Sequence, residues 1–273
     1  MKNNSRPIGV FDSGLGGLTV FQEIVNELPN EDIVYFGDTA RVPYGSKSKD
    51  TIVHYADQIL NFLKTKDVKA IVVACNTASA YALEELEDRV EVPIVGVVQP
   101  GAKVAARETK NGRIGVIGTR GTIRSGLYEK YLKSYRPGVE VYGKPCPLFV
   151  PLVEEGLWDD VLTRTVAARY LQELKDADVD TLIMGCTHYP LIRPLIREEM
   201  GNGVNLVNPA HETAERMKEV LELWELKRDP GALRSETPYR FYVSDDPESF
   251  RDFAAKLLKF PLPRPEKIDI EQY

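Results

Sequence analysis

Two stretches of this sequence repeat one another in order, and a chain that repeats a strand-and-helix unit is held to a two-part architecture. The run Ala70-Ile71-Val72-Val73-Ala74 ends on Cys75-Asn76-Thr77, and Thr181-Leu182-Ile183-Met184-Gly185 ends on Cys186-Thr187-His188, 111 residues later. Ile8-Gly9-Val10 followed by Asp12-Ser13 matches Ile114-Gly115-Val116 followed by Gly118-Thr119, at a spacing of 106. Phe36-Gly37 matches Tyr142-Gly143 at 106, and Val98-Gln99-Pro100-Gly101 matches Val207-Asn208-Pro209-Ala210 at 109. Matches kept in order at nearly constant spacing point to an internal duplication.

Within each copy, short β-branched runs alternate with stretches of helical period. Ile8–Phe11, Ile33–Phe36, Ala70–Ala74 and Ile94–Val98 read as buried strands. Between them, Leu18, Phe21, Ile24, Val25 and Leu28 share one helical face, as do Ile52, Ala56, Ile59, Leu60 and Leu63. Ile114–Ile117, Val139–Tyr142, Thr181–Met184 and Val204–Val207 repeat the strand pattern, with a helix expected over Trp158–Leu174. Such alternation predicts an α/β fold: two similar three-layer domains with mainly parallel sheets, which the duplication relates by pseudo-two-fold symmetry.

After Pro209 the sequence predicts a helix on Ala214, Met217, Leu221 and Trp224, a strand near Tyr239–Val243 and a helix on Phe250, Phe253 and Leu257. This tail is too short for a third domain, and its simplest packing is back onto the first half. We therefore expect a discontinuous N-terminal domain from residues 1–98 and 208–273, and a C-terminal domain from 99–207. The charged stretch from Lys227 to Glu236 reads as a solvated loop.

Composition narrows the function classes. A net charge of −6 disfavours nucleic acid as a partner, because phosphate backbones demand a basic surface. No apolar run approaches the roughly 20 residues that span a bilayer, and MKNNSRPIG has no signal-peptide core. A soluble, cytoplasmic protein with no membrane partner is the expectation. Three cysteines in 273 residues do not make a disulfide framework, so packing, metal binding or chemistry must explain them.

Ligands of open α/β sheets bind at the carboxyl ends of the strands. Asp12-Ser13, Pro43-Tyr44-Gly45, Cys75-Asn76-Thr77, Gly118-Thr119 and Cys186-Thr187-His188 all follow predicted strands. One cysteine at such a place is usually a small buried hydrophobe; two at matched places suggest proton carriers on either side of one carbon. Each is expected to open a helix, where free N–H groups favour a thiolate. The glycines of Asp12-Ser13-Gly14-Leu15-Gly16-Gly17 form either a plain tight turn or a cradle whose amides approach an anion. Asp12 is then a cap, an ammonium anchor or a proton carrier. His188, two residues beyond Cys186, is a candidate proton partner. Glu154 on its own reads as a solvated surface group, and Cys146, without a repeat partner, as structural. Close ligand spacings such as CxxC are absent, so no metal is expected. A pyridoxal phosphate mechanism needs a Schiff-base lysine, and none stands at a strand end of the repeat, so no cofactor is expected.

With DSGLGG, PYGSKS, VVACNTA, GVVQPGA, IGVIGT and GCTHYP in this order, the chain closely resembles the glutamate racemases of the cofactor-independent aspartate/glutamate racemase superfamily. The likeness runs from about residue 8 to residue 215. It implies two facing α/β domains that clamp the amino acid, with Cys75 taking the α proton from D-glutamate and Cys186 from L-glutamate. It further implies that Asp12 assists Cys75, while Glu154 and His188 assist Cys186. Substrate contacts are implied for Asp12, Ser13, Tyr44, Gly45, Asn76, Thr77, Thr119, Thr187 and His188. Supply of D-glutamate to peptidoglycan synthesis and a homodimer are implied by the same resemblance. An aspartate racemase, or an amino-acid-binding sensor in which the cysteines only pack, are the competing readings.

Overall fold

A computed structural model describes residues 4–229, 231, 235–260 and 262–273. Its strands are β1 (Ile8–Asp12), β2 (Ile33–Gly37), β3 (Ala70–Val73), β4 (Ile94–Gly96), β5 (Arg113–Gly118), β6 (Glu140–Pro145), β7 (Thr181–Gly185), β8 (Asn205–Val207), β9 (Tyr239–Val243) and β10 (Glu266–Lys267). They form two sheets, β10-β9-β2-β1-β3-β4 and β6-β5-β7-β8. Every pairing between them is parallel. The order 2-1-3-4 of the first sheet recurs as 6-5-7-8 in the second, so the repeated sequence is a repeated topology.

Both copies also turn into their cysteine-bearing strand in the same way. Asp67, ahead of β3, and Asp178, ahead of β7, each take a left-handed conformation, at φ 50° and 53°. Asp tolerates that region better than most side chains, and the spacing of 111 equals that of the two cysteines.

The strands are apolar because helices cover both faces of the sheets. All residues of β1, β2, β3 and β7 are buried, and each buried Val, Ile, Leu or Phe side chain contributes about 1.5–3 kcal/mol. One apolar cluster runs through both halves, from Ile8, Val10 and Phe21 to Ile117, Met184 and Leu206. The helix Pro209–Leu223 packs on the helices Leu18–Glu27 and Val98–Glu108 and so ties the halves together.

Three expectations need correction. The fourth strand stops at Gly96, and Val98 begins a helix, because Pro100 suits the first turn of a helix and not a strand interior. The helix foreseen from Trp158 starts at Val161, capped by Asp160. Within Lys227–Glu236, residues 230 and 232–234 lie outside the described residues, but Arg228 is buried rather than solvated. It lies against Asp32, bonded through both terminal guanidinium nitrogens, Nη1 and Nη2. No helix among the described residues is long and apolar enough to cross a membrane.

Candidate active site

Asp12 closes β1, Cys75 lies two residues past the end of β3, Cys186 directly follows β7, and Thr119 directly follows β5. Parallel strands bring their carboxyl ends to one edge of each sheet, and the two edges face one cleft. Ser13, Tyr44, Gly45, Cys75, Asn76, Thr77, Thr119, Glu154, Cys186, Thr187 and His188 all line one cavity of about 30 Å3, walled as well by Val42, Pro43 and Val150. Both thiols therefore face the same space.

The surroundings of the two sulfurs differ. Cys75 caps the helix Asn76–Tyr81, accepting from the Ala78 amide at 3.5 Å. Burial nevertheless pushes its pKa up to about 12, and the nearby Asp12 carboxylate pushes in the same direction, against the Ala78 amide and the Ser13 hydroxyl. The helix end is thus outweighed, and Cys75 is a thiol at neutral pH. Cys186 opens no α-helix. Pro190 fits the first turn of a helix and not its interior, so the helical turn begins at Tyr189, three residues after the sulfur. In place of a dipole it has His188, whose Nδ1 lies 3.7 Å from Sγ, and Nε2 of the same ring is 2.9 Å from Glu154 Oε1. Glu154, the last residue of the helix Phe149–Glu154, is thus bonded to the ring and is not a free surface group.

Asp12 is fully buried. Its Oδ2 accepts from the Gly14 and Gly17 amides, both at 3.0 Å, and its Oδ1 accepts from the Thr187 hydroxyl at 3.4 Å. Burial raises its pKa, opposed by the His188 charge and these amides. The glycine-loop amides thus already serve an anion, the chain's own carboxylate. Nor is the loop a left-handed turn, since Gly14, Gly16 and Gly17 are not among the glycines with positive φ. Glycine is needed at position 16 because a Cβ there would stand 2.4 Å from both His188 Nδ1 and Thr187 Oγ1. Gly45 is the same case, at 2.4 Å from the Thr119 Cβ. These are places where the halves touch.

Further bonds cross that seam. Thr77 Oγ1 lies 2.9 Å from Thr119 Oγ1 and 3.2 Å from Thr122 Oγ1, and Thr19 Oγ1 donates to the Thr187 carbonyl at 2.9 Å. A second cleft, of about 310 Å3, adjoins the cavity at Val42, Pro43, Gly45, Thr119, Val150 and Glu154, and adds Arg120 at its rim.

The Asp/Glu/Hydantoin racemase family profile matches residues 8–217. The chain belongs to that family. It is 51 % identical to a glutamate racemase of Geobacter metallireducens over 245 residues, which cover 90 % of each chain. The structure of a Bacillus anthracis glutamate racemase isoform superposes with a TM-score of 0.93 at 39 % identity, covering 97 % of this chain and 98 % of that one. A Francisella tularensis glutamate racemase in complex with D-glutamate superposes at 0.91 and 38 % identity, covering 99 % and 100 %.

Within this family member, sequence reasoning missed several residues around the cavity. The Tyr44 hydroxyl turns away from it to Asp38. Asp38 is fully buried and also accepts from Arg41 Nε and from Ser244 Oγ, each at 2.7 Å. Directly following β2, it could have been flagged by the same strand-end rule that found Asp12. Val42, Val150 and Tyr128 had no comparable signal.

Burial alone would lower the His188 pKa, but the hydrogen bonds and charges of Cys186 and Glu154 outweigh it and hold the ring at about 10, against an ordinary 6.5. Standing between a Cys186 thiolate and the Glu154 carboxylate, the ring is an imidazolium at neutral pH.

Proposed function

We propose that this chain interconverts L- and D-glutamate by two-base proton transfer at the α carbon, with Cys75 and Cys186 as the proton carriers and no cofactor. One observation supports this above the others: thiols from matched strand ends of two repeated halves line a single cavity. Inverting a stereocentre removes a proton from one face and delivers one to the other, and a duplicated unit supplies a carrier for each face.

In the L-to-D direction, Cys186 as thiolate takes the α proton, with His188 as imidazolium beside it. The electron pair remains on the α carbon. Cys75, a thiol, then delivers its proton to the opposite face, leaving Cys75 as thiolate and Cys186 as thiol. The reverse direction exchanges the roles, with Cys75 acting on D-glutamate. Asp12 assists Cys75, and Glu154 acts on Cys186 through His188. The developing negative charge needs preorganised donors, for which Thr77, Thr119 and Thr187 are suited, while Asn76 holds a substrate carboxylate equally before and during proton transfer and the backbone at Ser13, Tyr44 and Gly45 shapes the walls. The cavity has about the volume of one water in the liquid. Glutamate is several times larger, so the halves must part at the adjoining cleft to admit it.

Reduced thiols suit a cytoplasmic location, and D-glutamate made there would serve cell-wall peptidoglycan. A homodimer is part of the same proposal. The domains that clamp the substrate are residues 1–98 with 208–273, and 99–207.

Decay of circular dichroism should be followed with each pure enantiomer of glutamate and of aspartate. Racemisation of glutamate in both directions, with aspartate slow, is the expected result. A preference for aspartate would overturn the substrate, and binding without turnover would favour a sensor.

A further inference from the structure

We infer that Tyr128, outside every motif that brought the site to light, is a positioning residue that fixes the amide orientation of Asn76 and locks the two cysteine-bearing strand ends to each other. It lies in the second half, on the helix Leu127–Tyr135, and is almost completely buried. Its hydroxyl donates to Asn76 Oδ1 at 2.6 Å, across the seam and 52 residues along the chain. Asn76 is next to Cys75 and lines the cavity.

That bond decides which end of the amide the cavity sees. A carboxamide offers an acceptor at one end and two donors at the other, with nearly the same shape. A phenol that keeps its proton has a hydrogen to give, and burial pushes the Tyr128 pKa up, so it remains a donor at any working pH. With the carbonyl engaged, Nδ2 is left over, and it has no protein partner among the described residues. It is a free donor at the wall of a cavity proposed to hold a dicarboxylate.

The ring serves the other strand end. A Cβ on Gly185 would lie 3.1 Å from Tyr128 Cε2, so the ring packs on the residue immediately before Cys186. One side chain thus touches the neighbours of both sulfurs. No repeat relation could reveal it, since the first half has Asn76 at the position where the second half has Thr187.

This inference rests on reading the cavity as an amino-acid racemase site, and its test separates the two. The proteins compared are wild type, Tyr128→Phe, Asn76→Ala and the double variant, with kcat and KM for both enantiomers, calorimetric titration with D-glutamate, and melting temperature. Tyr128→Phe keeps the ring on Gly185 and frees the Asn76 amide to turn. A contact made equally in ground and transition states acts on KM alone, so KM and Kd should rise about tenfold while kcat stays within about twofold. Because Tyr128 acts through Asn76, the added phenylalanine should change neither KM nor Kd in the Asn76→Ala background. A merely structural tyrosine would lower kcat or melting temperature and keep its effect in that background. Unchanged KM and Kd in Tyr128→Phe, or additive effects in the double variant, overturn the inference while an active wild type leaves the racemase reading intact. A wild type that binds glutamate without turning it over fails the racemase reading, and the Kd values still judge Tyr128. A wild type that does neither fails both.

Discussion

Cys75→Ala and Cys186→Ala should each lose racemisation in both directions, yet each should retain slow exchange of the α hydrogen with solvent in a different enantiomer. The first half of this expectation follows from symmetry. Enantiomers have equal free energy in water, so the equilibrium constant is one, and kcat/KM must be the same from either side for any variant. A protein lacking one carrier cannot remain fast in one direction. Removal of a positioned acid or base typically costs 10²- to 10⁴-fold in rate, so a loss of roughly that size is expected for each cysteine. Exchange separates the two. With Cys75 gone, Cys186 can still take a proton from L-glutamate and return a deuteron to the same face, and with Cys186 gone Cys75 can do so for D-glutamate. Deuterium incorporation read by NMR in D2O would therefore appear in L-glutamate for one variant and in D-glutamate for the other. Wild-type rates in either variant, or exchange confined to the same enantiomer in both, would remove the cysteines from the mechanism.

The asymmetry of the two sulfurs sharpens this expectation. Cys75 has a buried carboxylate beside it and is held as a thiol, whereas Cys186 has an imidazole between it and Glu154. A repeated backbone carries different neighbours at its two sulfurs. What was legible in the sequence was the backbone: buried strands announce themselves as β-branched runs, and the spacing of 111 places Cys75 and Cys186 at equivalent strand ends before any side chain is located. His188 was legible beside Cys186, but the group behind it, Glu154, was not legible from the residues alone. Glu154 sits on a helix, and a glutamate on a helix reads as solvated until the packing within the second half carries it to within 2.9 Å of His188. Tyr128 and Val150 escaped for the same reason, because helix periodicity tells which face is apolar and not what it meets across a seam. The glycine loop misled differently. Its amides do hold an anion, but that anion is Asp12, five residues from the farthest donor.

Arg228 shows how far local composition can mislead, and its replacement should have a large effect on stability although it lies outside the site. Surrounded in sequence by charges, it is buried in the fold. Its Nη1 and Nη2 donate to the two oxygens of Asp32 at 2.9 and 2.8 Å, and Nη2 also donates to the Ser5 carbonyl at 2.9 Å. Its amide donates to Glu31 Oε1 at 2.8 Å, and the other Glu31 oxygen pairs with the fully buried Lys69 at 2.5 Å. Lys69 in turn donates to the Asn4 carbonyl at 2.9 Å. Asn4 and Ser5 precede β1, Asp32 precedes β2 and Lys69 precedes β3, so one ionic network clamps the starts of three adjacent strands. Arg228→Met keeps much of the volume but strands Asp32 without its counter-charge. Breaking a buried pair from one side costs about 3–5 kcal/mol, which corresponds to a fall of roughly 10 °C in melting temperature for a chain of this size. Arg228→Met with Asp32→Leu should recover part of that loss, since an apolar pair can replace a buried ionic one at little cost. The strands run about 3.3 Å per residue, which leaves the network a full strand length from the cavity, so kcat/KM of the folded enzyme at 25 °C should be retained. A melting temperature unchanged in Arg228→Met would mean that the buried ion pair contributes nothing to the first sheet. A lower kcat/KM at an intact melting temperature would tie the strand starts to the chemistry at their far ends.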